Sequence, residues 1–214
     1  MSESPIRRSK PLHELKSKYD EFAPSYGKSI FDAVTDNLFG LKRHRRRLMA
    51  KARGAVLDVA CGTGENFPFF ANAETIIAVD LSEGMLNLAQ QRAVKLGRTI
   101  EFHIGNAESL DFPDDSFDTV TSALSTCTIP DPVKALQEMK RVCKPDGRIL
   151  LLEHGRSSWG WVGRFQERRA PSFFEQNACR WDQEPMDNIR SAGLNVVSHR
   201  RAFTGVFHMI EATP

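Results

Sequence analysis

The chain has 214 residues, a length that suits one domain with a sizeable core. Hydrophobic residues make up 41% and charged residues 26%, as in ordinary globular proteins. The formal net charge of +2 gives little attraction to nucleic acid, so we expect no nucleic-acid partner. No apolar run reaches the ~18 residues that a membrane span needs. The first twenty residues lack the apolar centre of a secretory signal. We therefore expect a cytoplasmic protein, with a mitochondrial location as the alternative.

The four cysteines are Cys61, Cys127, Cys143 and Cys179. None of them forms a C-x-x-C pair, so local spacing indicates neither a metal site nor a redox motif. We expect all four to be reduced thiols. Cys143 follows an apolar helical pattern and is expected in the core, and Cys179 either packs as a thiol or contacts substrate.

The first part of the chain is helical and amphipathic between residues 12 and 49, where apolar side chains recur at three- and four-residue steps. Pro24 and Gly27 interrupt the pattern, which predicts two or three helices rather than one. We expect residues 1–52 to form a helical lid over a domain at residues 53–214.

Beyond this region, strand and helix patterns alternate. Strands are predicted at residues 55–60, 75–79, 100–104, 117–122 and 148–153, with helices at 66–71, 83–96 and 132–142. Such alternation implies right-handed crossovers and a parallel sheet.

An insertion at residues 155–180 breaks this alternation. It carries tryptophans, phenylalanines and three arginines, Arg164, Arg168 and Arg169. It could cover the substrate, touch a membrane surface or pack into the core. A helix at 186–192 and an antiparallel pair of strands at 194–199 and 206–212 then close the chain. The sequence thus predicts a Rossmann-like, doubly wound sheet of seven strands whose last strand is antiparallel.

The strongest local signal is VLDVACGTGENFPFF at residues 56–70. A buried strand ends in a turn where Gly62 and Gly64 let the backbone approach a ligand. Asp80 ends the next strand, about 20 residues beyond Asp58, which is the spacing that places a carboxylate on a ribose diol.

A dinucleotide site is an alternative interpretation of a glycine turn followed by an acidic residue. Its fingerprint requires a third glycine where this chain has Phe67, and the negative charge of Glu65 would repel a pyrophosphate. A plain strand-turn-helix without a ligand is the other alternative. S-adenosylmethionine carries an ammonium and a sulfonium and no phosphate, so an acidic loop suits it.

Four segments, LDVACGTGEN, AVDLSEGML, GNAESLDFPDDSFDTV and MKRVCKPDGRILLLEHG, follow one another in this chain. Together they resemble the class I methyltransferases of the ubiquinone and menaquinone biosynthesis type, over roughly residues 15–155. YDEFAPSY near the N-terminus resembles the lid helix of that family. The tail, EHGRSSWGW and NACRWD, looks closer to a fungal mitochondrial and thiol methyltransferase branch. The usual E-F-S after the fifth strand is here Glu153-His154-Gly155, which weakens a quinone assignment.

The resemblance implies S-adenosylmethionine as cofactor and a role for each matching residue. The methionine part would lie on the glycine loop, the ribose on Asp80, the adenine on the next two turns, and the methyl group near the end of the fourth strand. The residues so assigned are Asp58, Ala60, Gly62, Gly64, Asp80, Leu81, Met85, Asn106, Ala107 and Ala123. Two positions depart from the family. Asn106 replaces aspartate, and Ala60 replaces a glycine, so we expect a negative φ at Ala60.

Two residues are candidates for catalysis. Tyr26 could close over the methionine carboxylate or the sulfonium, or could be a core or capping aromatic. His154, at the end of the fifth strand, could be a general base or a loop histidine bonded to backbone. Methyl transfer can also proceed by alignment alone.

The basic run at residues 42–47 is expected mostly to face water, with lipid or partner binding as the alternative. The predicted partner is a small, apolar acceptor such as a quinol, lipid, phenol or thiol, with possible peripheral membrane contact. Competing functions are RNA or protein methylation and a non-catalytic, cofactor-binding assembly protein. SALSTCTIPD after the fourth strand lacks the D/N-P-P-Y of many nitrogen-directed enzymes.

Overall fold

The computed structural model describes residues 8–25 and 40–214. Seven strands form one sheet in the order β3-β2-β1-β4-β5-β7-β6. The strands are β1 (Arg53–Val59), β2 (Asn72–Asp80), β3 (Glu101–Ile104), β4 (Phe117–Ala123), β5 (Cys143–His154), β6 (Asn195–Ala202) and β7 (Phe207–Thr213). Neighbouring strands from β1 to β5 pair in parallel, and β7 is antiparallel to β5 and β6. The predicted doubly wound sheet with an antiparallel last strand is confirmed.

The helices are α1 (Leu12–Phe22), α2 (Leu41–Met49), α3 (Glu83–Leu96), α4 (Pro132–Val142), α5 (Gly160–Asn177) and α6 (Pro185–Ser191). The helix predicted at residues 66–71 is wrong, because only a 3₁₀ turn, Phe67–Phe69, forms there. Phe67 and Phe70 are both fully buried. A 3₁₀ turn brings side chains three residues apart onto one side, which suits this pair.

The core lies on both faces of the sheet because successive strand residues point to opposite sides. Leu57, Ile149 and Leu151 pack with α4 and α6 on one face. Val56, Leu150 and Leu152 pack with α2 and α3 on the other. Helices on both faces explain the nearly continuous apolar runs of the central strands.

The N-terminal helix α1 is fixed to two elements. Asp20 binds the first turn of α3, and Lys10 and Lys18 contact Glu175 near the end of α5. The insertion that includes α5 therefore meets the predicted lid. Among residues 8–25 and 40–214, no helix is both long and apolar enough to cross a membrane.

Candidate functional site

A cavity lies at the carboxyl ends of β1, β2 and β4, where ligands bind in open parallel sheets. Four residues from the helices α1 and α2 line it: Leu12, Leu15, Tyr19 and Arg45. The loops after the strands supply the remainder: Ala60, Cys61, Gly62, Thr63, Glu65, Asp80, Leu81, Met85, Gly105, Asn106, Ala107, Ala123, Leu124, Ser125, Thr128, Ile129 and Pro130. Most of the predicted cofactor residues therefore meet in one place. Asp58 and Gly64 are not part of the wall.

Asp80 stands at the end of β2 with both carboxylate oxygens held in place. Oδ2 accepts a hydrogen bond from the backbone N–H of Gly62 at 2.8 Å, and Oδ1 accepts one from that of Ser82 at 2.9 Å. Burial raises the pKa of Asp80, while these two N–H groups oppose the shift. Each oxygen keeps lone pairs for a further donor, so the group can accept from two adjacent hydroxyls.

The turn after β1 requires left-handed backbone at three positions. Gly62 has φ +56°, and a Cβ there would meet no protein atom within 4 Å. Gly64 has φ +77°, and a Cβ there would overlap the ring of Phe67. The negative φ expected at Ala60 is wrong, since φ is +51°. The N–H of Cys61 donates to the carbonyl of Val79 at 3.0 Å, so this turn is hydrogen-bonded to β2.

Asp58 is fully buried below this loop. Its Oδ1 accepts hydrogen bonds from Thr121 at 2.7 Å and from the side-chain amide of Asn66 at 2.8 Å. Its Oδ2 has no hydrogen-bond partner among the described residues. Burial raises the pKa of Asp58 to about 6, despite these two hydrogen bonds, which lower it. The carboxyl group thus supports the loop from underneath, and its assigned cofactor role stays a prediction.

The structure disfavours a pyrophosphate at this turn by its shape and not by its charge. Glu65 is paired with Arg92, so its negative charge is offset. Phe67, however, fills the place of the third glycine, and the chain forms a 3₁₀ turn there instead of an α-helix. A dinucleotide site needs the first turn of an α-helix to receive the pyrophosphate.

Arg45 lines the cavity, although the sequence did not predict it there. The basic run was expected mostly to face water, and Arg46 and Arg47 are indeed exposed. Arg45, by contrast, lines the cavity and donates a hydrogen bond to Asn66 at 2.7 Å. The only sequence signal was its position on α2, one turn before the buried Leu48.

Asn106 and Ala107 line the cavity after β3, as assigned. The side-chain carbonyl of Asn106 accepts a hydrogen bond from the backbone N–H of Glu108 at 3.0 Å. This bond fixes the side chain and leaves one lone pair of the same oxygen for an amino group.

The cavity wall also carries apolar side chains. They come from the β4 end as Ala123, Leu124 and Ile129 and from α1 as Leu12 and Leu15, and the hydroxyls of Ser125 and Thr128 line the same cavity. Behind it, Glu153 is fully buried and accepts long hydrogen bonds from the N–H groups of Ser125 and Thr126. Burial raises the pKa of Glu153.

The two predicted catalytic residues are not in the described wall. Tyr26 lies outside the described residues. The ring of His154 faces Cys179, with 3.2 Å between Nε2 and Sγ. No residue of the insertion at 155–180 lines the described cavity, so its proposed role as a substrate cover has no contact to support it there.

The comparisons with known proteins agree with this site. A family described as "Methyltransferase domain" matches residues 57–151. Demethylmenaquinone methyltransferase of Clavibacter sepedonicus is 30% identical over 220 residues, covering 92% of this chain and 89% of that protein. The chain belongs to the class I S-adenosylmethionine-dependent methyltransferases. The cofactor of this family, S-adenosylmethionine, accounts for a site with a ribose acceptor and no pyrophosphate cradle.

Two further relatives extend the comparison. The mitochondrial methyltransferase OMS1 of Saccharomyces cerevisiae is 29% identical over 94% of this chain, which spans only 46% of that protein. The crystal structure of the YcgJ protein from Bacillus subtilis has a TM-score of 0.62 and 28% identity, covering 74% of this chain and 72% of that one. The tail and the core of the chain are thus both similar to proteins of this family.

Proposed function

We propose that this methyltransferase transfers a methyl group from S-adenosylmethionine to a small, apolar acceptor. The observation that carries the proposal is that one cavity wall combines polar and apolar groups. Asp80, Gly62 and Asn106 provide polar groups, and leucine, isoleucine and alanine side chains provide apolar surface. Polar groups fix a charged cofactor, and apolar surface selects the acceptor.

The residues present fit the cofactor. Asp80 would accept from the two ribose hydroxyls, Leu81 and Met85 would pack on the adenine ring, and Asn106 would accept from its amino group. The open space over Gly62 leaves room for the methionine part. The guanidinium of Arg45 is the cation in the wall that can pair with the methionine carboxylate.

When bound, the cofactor supplies an electrophilic methyl group on its sulfonium. The residues of the chain bind, align and exclude water. Ala123 and Leu124 at the end of β4 and Leu12 and Leu15 of α1 all line the cavity. A covered, apolar site holds the acceptor atom in line with the methyl group, which is the main source of rate in such transfers.

The described wall holds no histidine. The side-chain hydroxyls of Ser125 and Thr128 can orient an acceptor proton but are weak bases. The reaction therefore depends mainly on alignment, and a general-base role for His154 stays a prediction. Tyr26 as a residue that closes over the cofactor also stays a prediction.

The acceptor class rests on the apolar wall and on the relatives. A quinol fits the name of the Clavibacter relative, while lipids, phenols and thiols fit the wall equally well. The sequence after Glu153 differs from the E-F-S pattern, and this difference favours a lipid, phenol or thiol over a quinol as the acceptor. The word mitochondrial in the name of the yeast relative supports the mitochondrial alternative for location.

Peripheral membrane contact has one structural feature in its favour. Trp159, Trp161 and Phe165 at the start of α5 are each more than half exposed. Arg164 and Arg168 are exposed on the same helix. Exposed aromatic and basic side chains on one helix are typical of a surface that rests on anionic lipid and would receive an apolar acceptor from it.

Calorimetry tests the cofactor half of the proposal. We expect S-adenosylhomocysteine to bind at least about tenfold more tightly than NAD. Asp80→Ala should weaken this binding at least tenfold, because hydrogen bonds to a charged group contribute roughly 1.5–3 kcal/mol each. The control is Asp146→Ala, an exposed aspartate on β5 that does not line the cavity. Tighter binding of NAD would overturn the assignment.

A radiolabelled methyl-transfer screen over quinols, phenols, thiols and phospholipids tests the acceptor half. Transfer to one of these classes is the expected result. Labelled RNA or protein would instead favour a macromolecular substrate. Tight cofactor binding without any transfer would favour the non-catalytic, assembly alternative.

A further inference from the structure

Three side chains from distant parts of the chain meet beside the cavity. Cys127 lies in the loop after β4, His154 ends β5, and Cys179 follows the end of α5. Their two sulfurs and one ring nitrogen all lie within 4.8 Å of one another. None of the three side chains lines the described cavity or belongs to the cofactor assignment.

This donor set is that of a thiolate-preferring metal ion. Tetrahedral zinc, with Zn–S near 2.3 Å and Zn–N near 2.0 Å, separates its ligand atoms by roughly 3.5–3.8 Å. The distance between His154 Nε2 and Cys179 Sγ is 3.2 Å, a few tenths of an ångström below that separation, and the three ligand atoms all lie within 4.8 Å of one another. We propose that Cys127, His154 and Cys179 form a binding site for Zn²⁺ with a fourth position open to water or an external ligand.

The backbone around the three residues is already fixed. The N–H of Arg180 binds the carbonyl of Cys127 at 2.9 Å. The side-chain amide of Gln183 donates to Thr126 and to the carbonyl of His154, at 3.1 Å each. The ligands therefore need little ordering when the metal binds, which favours binding.

Arg180, the neighbour of Cys179 in the chain, holds the segment that carries Cys179 against the loop that carries Cys127. Arg180 is only 2% exposed, and its guanidinium donates to the backbone carbonyls of Thr126, Ile129, Pro130 and Arg8. These hydrogen bonds fix the relative position of two of the three proposed ligands.

The charges balance on binding. Each cysteine releases its thiol proton to solvent, the neutral imidazole donates a lone pair, and two thiolates cancel the charge of Zn²⁺. The loop that carries Cys127 also supplies Ser125, Thr128 and Ile129 to the cavity wall. The metal would thus connect the end of α5 to the acceptor side of the cavity.

The experiment uses the full chain, treated with chelator, kept reduced with a phosphine and titrated anaerobically with Co²⁺ and then Zn²⁺. We expect one equivalent of Co²⁺ to give a thiolate charge-transfer band that Zn²⁺ abolishes. Cys127→Ser and Cys179→Ser should each weaken Zn²⁺ binding at least about tenfold, a loss typical even of residues that only orient a ligand. Cys143→Ser, at a buried cysteine on β5, is the matched control and should keep the site.

The cobalt spectrum of the unmodified protein decides the proposal even if a variant fails to fold. No thiolate band, or a band that persists in both Cys127→Ser and Cys179→Ser, would overturn it. A disulfide between Cys127 and Cys179, found by mass spectrometry after air oxidation and without any cobalt band in the reduced protein, would identify a redox pair instead.

Discussion

Asp20 of α1 accepts a hydrogen bond from the hydroxyl of Ser82, with 2.6 Å between the oxygens. Ser82 is the N-cap of α3, where its hydroxyl also accepts from the N–H of Met85. The same oxygen of Asp20 accepts from the N–H of Gly84 at 3.0 Å, and a Cβ at Gly84 would lie only 3.1–3.2 Å from α1 and the following turn. Helix α1 is therefore attached to the helix that follows β2, the strand that ends at Asp80.

From this attachment we expect the stability of the folded protein to depend on pH in the acid range. Burial would raise the pKa of Asp20, but hydrogen bonds from Lys16, Ser82 and Gly84 lower it to about 2. Because the folded state favours the ionised form, its contribution to stability is present above the ordinary value of 3.8 and is lost as the pH falls toward 2. Asp20→Asn should lower the free energy of unfolding at pH 5. Between pH 4 and pH 2, the free energy of unfolding of this variant should decrease less than that of the unmodified protein. Denaturant unfolding measures this, with the exposed Glu21→Gln as control. Equal curves for Asp20→Asn and the unmodified protein would contradict the link.

From the position of Arg45 we expect its replacement to weaken binding of S-adenosylhomocysteine but not of adenosine. Arg45→Gln should weaken binding of S-adenosylhomocysteine about tenfold or more, since a hydrogen-bonded ion pair contributes roughly 1.5–3 kcal/mol. Adenosine lacks the carboxylate, so its affinity should stay unchanged. Calorimetry with both ligands measures the effect, and Arg46→Gln, on the exposed side of α2, is the control. A parallel loss for adenosine would mean that Arg45 acts through the loop at Asn66.

For Asp58 we expect a pH dependence of stability opposite in sign to that of Asp20. Burial raises its pKa from 3.8 to about 6, so the folded state favours the protonated form. Its contribution to stability is present below pH 3.8 and is lost as the pH rises through 6, by an amount on the order of 3 kcal/mol. Asp58→Asn cannot ionise, so its stability relative to the unmodified, cofactor-free protein should rise from pH 4 to pH 7. Unfolding in urea at several pH values gives this difference. A constant difference would show that Asp58 stays ionised.

Because Ala60 has a positive φ, we expect its replacement by glycine to stabilise the protein. An alanine in the left-handed conformation destabilises the folded state by roughly 1–2 kcal/mol, and a glycine removes this strain. A glycine also makes the unfolded chain more flexible, which destabilises the folded state by about 0.4–1 kcal/mol. Ala60→Gly should therefore stabilise the protein by up to about 1 kcal/mol. Ala89→Gly, inside α3 and fully buried, is the matched control and should destabilise. Thermal unfolding of both variants shows whether each substitution raises or lowers the stability of the protein. Destabilisation by Ala60→Gly would mean that the methyl group of Ala60 contributes packing that outweighs its strain.

The sequence by itself determined the order of the elements and the cofactor loop. The bounds of α3 and α4 match the predictions to the residue, because a Ser82 or Asp131 cap and an apolar period mark them locally. The glycines of the first turn and Asp80 could also be assigned, since the ends of neighbouring parallel strands must meet at one edge.

Only the tertiary structure decided which side chains meet across that edge. Local spacing gave no metal pattern, yet Cys127, His154 and Cys179 come together from three elements. The basic run looked uniform, yet packing of Leu48 and Met49 turns Arg45 inward. Local patterns follow from the period of one helix or strand, whereas these contacts depend on how separate elements pack, which no single stretch of sequence encodes.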